Sequence, residues 1–255
     1  MSARTDEVWK TSALVATYLE GVRGAIPLAA EQIDILLRLL SASGQPLRRF
    51  LDLGCGDGVL SAAILERYPQ AEAGLVDFSA PMLDAARHRF AQEGPSVHYV
   101  NVDFGLASWT GSVAEWGPYD AVVSGYSIHH QPDTRKREVY AEVYRLLSPG
   151  GVFVNVEHVS SASRWVESLH DELFIDHLHR AHPGTSRTEV AENYYHRADK
   201  AANILAPVEL QCQWLREIGF TDVDCYLKVF ELAVFGGRRL LKPLEDDAVT
   251  WQGRR

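Results

Sequence analysis

Eight of the ten histidines of this 255-residue chain fall between His129 and His196, and two of them, His129 and His130, are adjacent. The pair follows the apolar run Asp120–Ser124, so it leaves the end of a predicted strand. A neutral imidazole there can take a proton from an oxygen, nitrogen or sulfur nucleophile, typically worth about 10²–10⁴-fold when well placed. The pair can equally shape the turn without moving a proton. His130, farther along the loop, is the favoured acceptor-side residue, with His129 and with Glu157 at the end of the next predicted strand as its companions. His158, next to Glu157, is a candidate substrate contact, as are Tyr195 and Arg197 in Glu192-Asn193-Tyr194-Tyr195-His196-Arg197. That segment reads either as a pocket lid or as an ordinary amphipathic helix with Tyr194 packed and Arg197 solvated. Metal binding needs a compact ligand set, and the spacing offers none. His179 and His182 can share a helix face, His177 points away from them, and Pro183 closes the segment, so no metal is expected.

A second chemistry is written into Arg49-Phe50-Leu51-Asp52-Leu53-Gly54-Cys55-Gly56-Asp57-Gly58, where an apolar run bearing one acid stops in three glycines at every second position. Such a run is a strand entering a ligand-binding turn. Glycine tolerates positive φ and lets a ligand approach the backbone, and the helix predicted over Val59–Tyr68 turns its first N–H groups into the gap. A second apolar run ends in Asp77, 21 residues beyond Gly56, the distance at which nucleotide folds place a ribose-binding carboxylate. Ser79 then caps a helix with Pro81 in its first turn, and Met82 either lies on a ligand's flat ring or packs in the core.

The dehydrogenase fingerprint G-x-G-x-x-G is excluded, because Val59 stands where its third glycine belongs. The pattern G-x-G-x-G with an acid two residues upstream resembles motif I of the class I S-adenosylmethionine-dependent methyltransferases. Ser124-Gly125-Tyr126-Ser127-Ile128-His129-His130, Leu146-Leu147-Ser148-Pro149-Gly150-Gly151 and Trp214-Leu215-Arg216-Glu217-Ile218-Gly219-Phe220 resemble the family too, and the likeness runs from Arg49 to Arg239. It implies S-adenosyl-L-methionine as donor and S-adenosyl-L-homocysteine as product. Gly54, Cys55 and Gly56 would hold the methionine part, with Asp52 organising the turn. Asp77 would take the ribose hydroxyls and Asp103 the adenine amine, with Phe78 and Phe104 as aromatic walls and Met82 and Ser124 nearby. The setting Tyr18-x-x-x-x-Arg23-x-x-Ile26-Pro27 is similar to the N-terminal lid of small methyltransferases, in which Arg23 would clamp the donor carboxylate.

Elements to position these residues are plain in the pattern. Strands are expected at Arg49–Leu53, Ala73–Val76, Val97–Val102, Asp120–Ser124 and Val152–Val156, and helices at Val59–Tyr68, Ala80–Gln92 and Thr134–Leu147. Alternation of this kind means a parallel sheet covered by helices. Ser148-Pro149-Gly150-Gly151 reads as a turn, and a helix over Pro207–Ile218, stopped by Gly219, precedes strands Thr221–Leu227 and Val229–Phe235, which must pair antiparallel. The expectation is one α/β domain over residues 1–255 with a Rossmann-like class I methyltransferase fold. It has a mostly parallel seven-stranded sheet with an antiparallel C-terminal hairpin and helices on both faces. Residues 1–45 form a helical lid and residues 159–206 a helical substrate cap.

Composition bounds the partners. At 46% hydrophobic the chain can bury a full core, and no stretch is apolar enough to span a bilayer. A formal charge of −9 gives no general attraction to nucleic acid, and Arg238, Arg239 and Lys242 are too few for a basic patch. Three scattered cysteines and a polar N-terminus without an apolar core suggest a cytoplasmic protein. The expected partner is a small-molecule methyl acceptor, with no membrane and with a homodimer left open. The alternatives are a tRNA-pathway enzyme that modifies RNA or the donor itself, and a donor-binding protein without transfer activity.

Overall fold

The computed structural model describes residues 5–91 and 96–241, with the side chains of Arg23 and Ala198 outside the description. Seven strands, β1 (Arg49–Leu53), β2 (Glu72–Asp77), β3 (Val97–Asn101), β4 (Tyr119–Gly125), β5 (Leu147–His158), β6 (Phe220–Val229) and β7 (Leu232–Arg239), form one sheet in the order β3-β2-β1-β4-β5-β7-β6. Pairing is parallel from β3 across to β5, and β7 runs antiparallel to both β5 and β6. This is the Rossmann-like sheet expected from the sequence. Strand order reverses between β1 and β4, so the crevice for a ligand opens at the carboxyl ends of those strands.

Period-two alternation distributes the apolar residues of each strand between two cores. Phe50, Ala121, Val123, Val152, Val154 and Val234 face one, with Leu36 of α2 (Ala29–Ala42), Ile64 of α3 (Val59–Arg67) and Leu83 of α4 (Ala80–Arg89). Leu51, Leu53, Val122, Phe153 and Phe235 face the other, with Tyr140 of α5 (Asp133–Leu146) and Leu215 of α8 (Val208–Ile218). Each such fully buried side chain is worth about 1.5–3 kcal/mol. Helices therefore cover both faces because the central strands are apolar on both.

Two regions lie over the crevice. The N-terminal one is less regular than a single helical lid: a 3-10 turn (Thr5–Lys10), α1 (Ser12–Thr17), a π turn (Tyr18–Val22) and a 3-10 turn (Arg23–Ala25) precede α2. Ser79 Oγ donates to the Trp9 carbonyl at 2.6 Å and caps α4 by accepting from the Met82 amide, which ties this region to the end of β2. The second region holds α6 (Arg164–Ala181), α7 (Arg187–Tyr195) and a 3-10 segment, Ala198–Ala202. Ile175, Leu178, Val190 and Tyr194 of this region pack with Ala25 of the first.

Two local expectations are corrected. Ser148–Gly151 belongs to β5 and bulges from it, since the register with β4 jumps from Tyr119↔Leu147 to Ala121↔Val152 and Gly150 takes φ 82°. The hairpin turns at Phe230 and Glu231, two residues beyond the expected break, because Val229 pairs with Leu232 and Phe230 adopts φ 51°. Gln92 and Lys242 lie outside the described residues.

A buried ion network anchors α5 behind the crevice. Arg135 donates to Glu142 at 2.6 and 2.9 Å and to the Phe104 carbonyl, while Trp109 Nε1 donates to the same carboxylate at 2.6 Å. Removing one partner of a buried pair leaves the other charge uncompensated, at about 3–5 kcal/mol. Glu142→Ala should therefore lower the unfolding free energy by that amount, read as a lower urea midpoint at unchanged slope, and a loss below about 1 kcal/mol would show that the network does not hold the helix.

Candidate functional site

The turn after β1 is bound to the end of β2: the amides of Gly54 and Cys55 both donate to the Val76 carbonyl, at 2.8 and 2.9 Å. Gly54 and Gly56 sit at φ 69° and 54°, and a Cβ at Gly54 would stand 1.8 Å from Ser127 Oγ. Only glycine meets both demands. The next residue of β2, Asp77, accepts from the Gly56 amide at 2.9 Å and the Ser79 amide at 2.8 Å. Burial raises its carboxyl to about 6, against those amides, which favour the charged form. Asp52, one turn earlier, accepts from Ser61 Oγ at 2.6 Å. Burial, with these acids adding to it, pushes the Cys55 thiol well above its ordinary value, so it stays protonated.

A cavity of about 380 Å³ opens over this turn. Its near end is walled by Gly54, Cys55, Gly56, Asp77, Phe78 and Met82, and by Trp9 and Tyr18 from the N-terminal region. Trp9 meets Tyr18 edge to face at 5.1 Å. Tyr126 donates to Gln32 at 2.6 Å and so links the loop after β4 to α2 across the cavity wall.

His129 and His130 line the middle, their rings 4.0 Å apart. His129 Nδ1 lies 2.5 Å from Glu157 Oε1, and the backbone amides of His129 and His158 also donate to that carboxylate. Complete burial raises Glu157 to about 7 and pushes His129 well down, so one proton is held between the two groups. His130 Nδ1 stands 3.1 Å from the Ala202 carbonyl, which can only accept; the proton is therefore on Nδ1. Burial and the neighbouring His129 lower His130 to about 3.

The far end is formed by the second covering region: His170, Phe174, Tyr194, Arg197, Lys200 and Asn203, with His158 from β5. Arg197 pairs with Asp199, and Lys200 with Asp171 at 3.2 Å. Lys200 also lies 3.9 Å over the Tyr194 ring.

Of the residues anticipated from sequence, Tyr18, Asp52, Gly54, Cys55, Gly56, Asp77, Phe78, Met82, His129, His130, His158 and Arg197 line this cavity, with Glu157 directly behind His129. Others stand elsewhere. Ser124 Oγ donates to the Leu53 carbonyl at 2.7 Å and is buried between β4 and β1. Asp103 folds back on the Gly105 amide at 2.7 Å, outside the cavity wall but near enough to raise Asp77. Phe104 is buried behind Gly54. Tyr195 is 51% exposed, because α7 turns Tyr194 inward in its place. The side chain of Arg23 lies outside those described. Trp9, Gln32, Lys200 and Asn203 carried no spacing signal; Tyr194 and His170 differed from their neighbours only by the helix face they occupy. The expectation of no metal rested on spacing along the chain, and in space His158, His170 and Glu231 do converge.

Residues 50–151 match the family described as a methyltransferase domain. An uncharacterised methyltransferase of Mycobacterium tuberculosis (strain H37Rv) is 36% identical over 114 residues, 45% of this chain. That stretch spans about half (52%) of the relative's own length. A carboxy-S-adenosyl-L-methionine synthase of Nautilia profundicola is 21% identical over 80% of this chain and 81% of its own. Among solved structures, phosphoethanolamine N-methyltransferase 2 of Haemonchus contortus with S-adenosyl-L-methionine is similar at a TM-score of 0.57 and 18% identity, covering 88% of this chain and 46% of that one. At that identity the likeness shows the fold alone.

The close approach of Gly54 to Ser127 gives a test that needs no ligand. Gly54→Ala should destabilise the protein by about 1–2 kcal/mol from positive φ alone, plus the clash. Adding Ser127→Gly removes the two nearest atoms and should recover the clash but not the φ cost; equal stabilities of the single and double variants in urea unfolding would contradict this packing.

Proposed function

We propose that the chain is a class I S-adenosylmethionine-dependent methyltransferase, a reading supported by the family match over residues 50–151, and that it moves a methyl group from S-adenosyl-L-methionine to an oxygen, nitrogen or sulfur atom of a small molecule, releasing S-adenosyl-L-homocysteine. The observation that carries the reading is the opening of the Glu157–His129 pair and the Gly54–Gly56 turn into one cavity. The donor when bound supplies a methyl group already activated by its sulfonium charge. The residues present fit it: a glycine turn whose missing side chains leave room for the methionine part, the buried Asp77 carboxylate for the ribose hydroxyls, and Phe78 and Met82 beside the ring system.

The protein's task is then to orient two molecules, worth about 7–11 kcal/mol when geometry is good, and to take one proton where the acceptor is not already deprotonated. For that proton the structure favours His129 over His130, reversing the preference drawn from loop position. A cation formed on His129 faces the Glu157 carboxylate, whereas one on His130 would face a carbonyl and a second imidazole. His130 packs at 6.0 Å from Trp9 and positions the joined ends of the cavity.

Modification of the donor itself is the second reading, favoured by the likeness to the Nautilia synthase over 80% of this chain and 81% of that one, and by basic groups on the wall. Among the described side chains, the arginines and lysine of the wall are each paired with an acid, Arg89 with Asp57, Arg197 with Asp199 and Lys200 with Asp171, which leaves none of them as the spare cation that a carboxylated donor would require. A binding-only protein would have its acceptor space filled. Of the three side chains able to fill it, Trp165 lies 72% exposed and Tyr195 51% exposed, while Phe174 stands in the wall of a cavity that keeps about 380 Å³ open.

Asp77→Asn should weaken S-adenosyl-L-methionine binding in calorimetry through lost charge-assisted hydrogen bonds, each about 1.5–3 kcal/mol. Wild-type affinity should fall as pH drops through about 6, where Asp77 takes up a proton and loses acceptor capacity, and the variant should lack that dependence. Unchanged affinity in folded Asp77→Asn would remove the nucleotide from this site. With an acceptor in hand, His129→Ala and Glu157→Gln should each lower turnover by about 10²–10⁴-fold at nearly constant donor affinity, and His130→Ala by less. A larger loss in His130→Ala would return the role to that residue.

A further inference from the structure

We propose that His158, His170 and Glu231 form a binding site for a divalent transition cation of the zinc type, at the end of the cavity farthest from the glycine turn. The three come from separate elements: His158 ends β5, His170 lies in α6, and Glu231 stands at the tip of the β6–β7 hairpin. One donor atom from each lies within 4.8 Å of the others. His158 Nε2 is 2.8 Å, and His170 Nε2 3.9 Å, from the same Glu231 oxygen. Tetrahedral zinc with bonds of about 2.0–2.2 Å needs its ligand atoms about 3.3–3.6 Å apart, and the observed separations bracket that value, so small side-chain rotations complete the geometry.

An ordinary ion pair accounts for His158 and Glu231 but not for His170. That imidazole is 2% exposed, its Nδ1 has no hydrogen-bond partner, and its Nε2 is too far from Glu231 for a hydrogen bond. With the proton on Nδ1, the Nε2 lone pair faces the Glu231 oxygen across 3.9 Å, a separation that a cation between them would bridge. The set of two imidazoles and one carboxylate suits zinc or ferrous iron and leaves a further coordination position. His158 and His170 both line the cavity, so that position opens towards the acceptor. Asn203, 3.5 Å from His158 Nδ1, is placed to orient that ring from behind.

Charge around the site allows a cation. Lys200 and Arg197 are paired with Asp171 and Asp199. A cation here would hold an oxygen of the acceptor. The binding itself does not rest on the transfer reaction, and its test is independent of turnover.

The experiment is a titration of the metal-free, full-length protein with cobalt(II) alone, followed by zinc displacement and metal analysis. One cobalt per chain is expected, with the visible ligand-field absorption of a low-coordinate nitrogen and oxygen site, bleached by zinc, and with a rise in melting temperature on zinc addition. His170→Ala and Glu231→Gln should weaken binding at least about 100-fold, while His179→Ala, in the same helix, should bind as wild type. Folding is checked by circular dichroism. Absence of the cobalt spectrum in the wild type overturns the proposal whether or not the variants fold, as does equal affinity in Glu231→Gln or a loss in His179→Ala matching that in His170→Ala.

Discussion

The constraint on which the rest depends is the double acceptance by the Val76 carbonyl of the Gly54 and Cys55 amides. It bends the chain at the end of β1 so sharply that two residues of one strand answer to one residue of its neighbour. The next carbonyl pair is thereby lost to the sheet, and the Gly56 amide is left to find a side chain. Asp77 is that side chain, and it is fixed from the other side by the Ser79 amide. A buried carboxylate would otherwise be expensive in this place. The turn and the acid thus require each other, and the cavity is the space their mutual satisfaction leaves open.

From this point the covering regions follow by direct attachment. Ser79, which holds Asp77 with its amide, holds the Trp9 carbonyl with its hydroxyl, so the N-terminal region is fastened to the loop that closes the near end. On the other side the Ile204 amide donates to the His129 carbonyl, and the Ala202 carbonyl receives His130. The segment that carries Arg197, Lys200 and Asn203 into the cavity is therefore hung on the histidine pair. Each cover is bound to the chemistry it encloses by backbone groups, and displacement of either would unsatisfy a polar group at the site.

What could be read from the sequence was what local periodicity and spacing encode. Strands β1 to β4, the glycine turn, Asp77 and the Ser79 cap are each determined within about ten residues, and all stand where the pattern puts them. The hairpin was misplaced because its turn uses Phe230 at positive φ, a position where pattern reading looks for glycine or asparagine. That error alone hid Glu231, which a strand reading leaves in the sheet. The pairing of His129 with Glu157 rests on β4 lying beside β5, whereas the convergence of His158 with His170 depends on where α6 packs, and a helix face cannot be assigned its neighbour from spacing. Ser124 was drawn in by its place at the end of β4, but alternation along a strand sends successive side chains to opposite faces.

The cavity is divided electrostatically along its length, and the division suits its two ends to different tasks. Asp52, Asp57 and Asp77 gather at the glycine turn, where a sulfonium and an amino group would both be positive. Imidazoles dominate beyond the middle, and burial keeps His129 and His130 neutral near pH 7, so the acceptor half does not repel a cation at the other end. Burial, reinforced by the same acids, holds the Cys55 thiol in its protonated form. A thiolate at that position would be the strongest nucleophile beside the donor. By helping to suppress it, the carboxylates that attract the donor also protect the methyl group for the acceptor, so one charge arrangement contributes to binding and selectivity together.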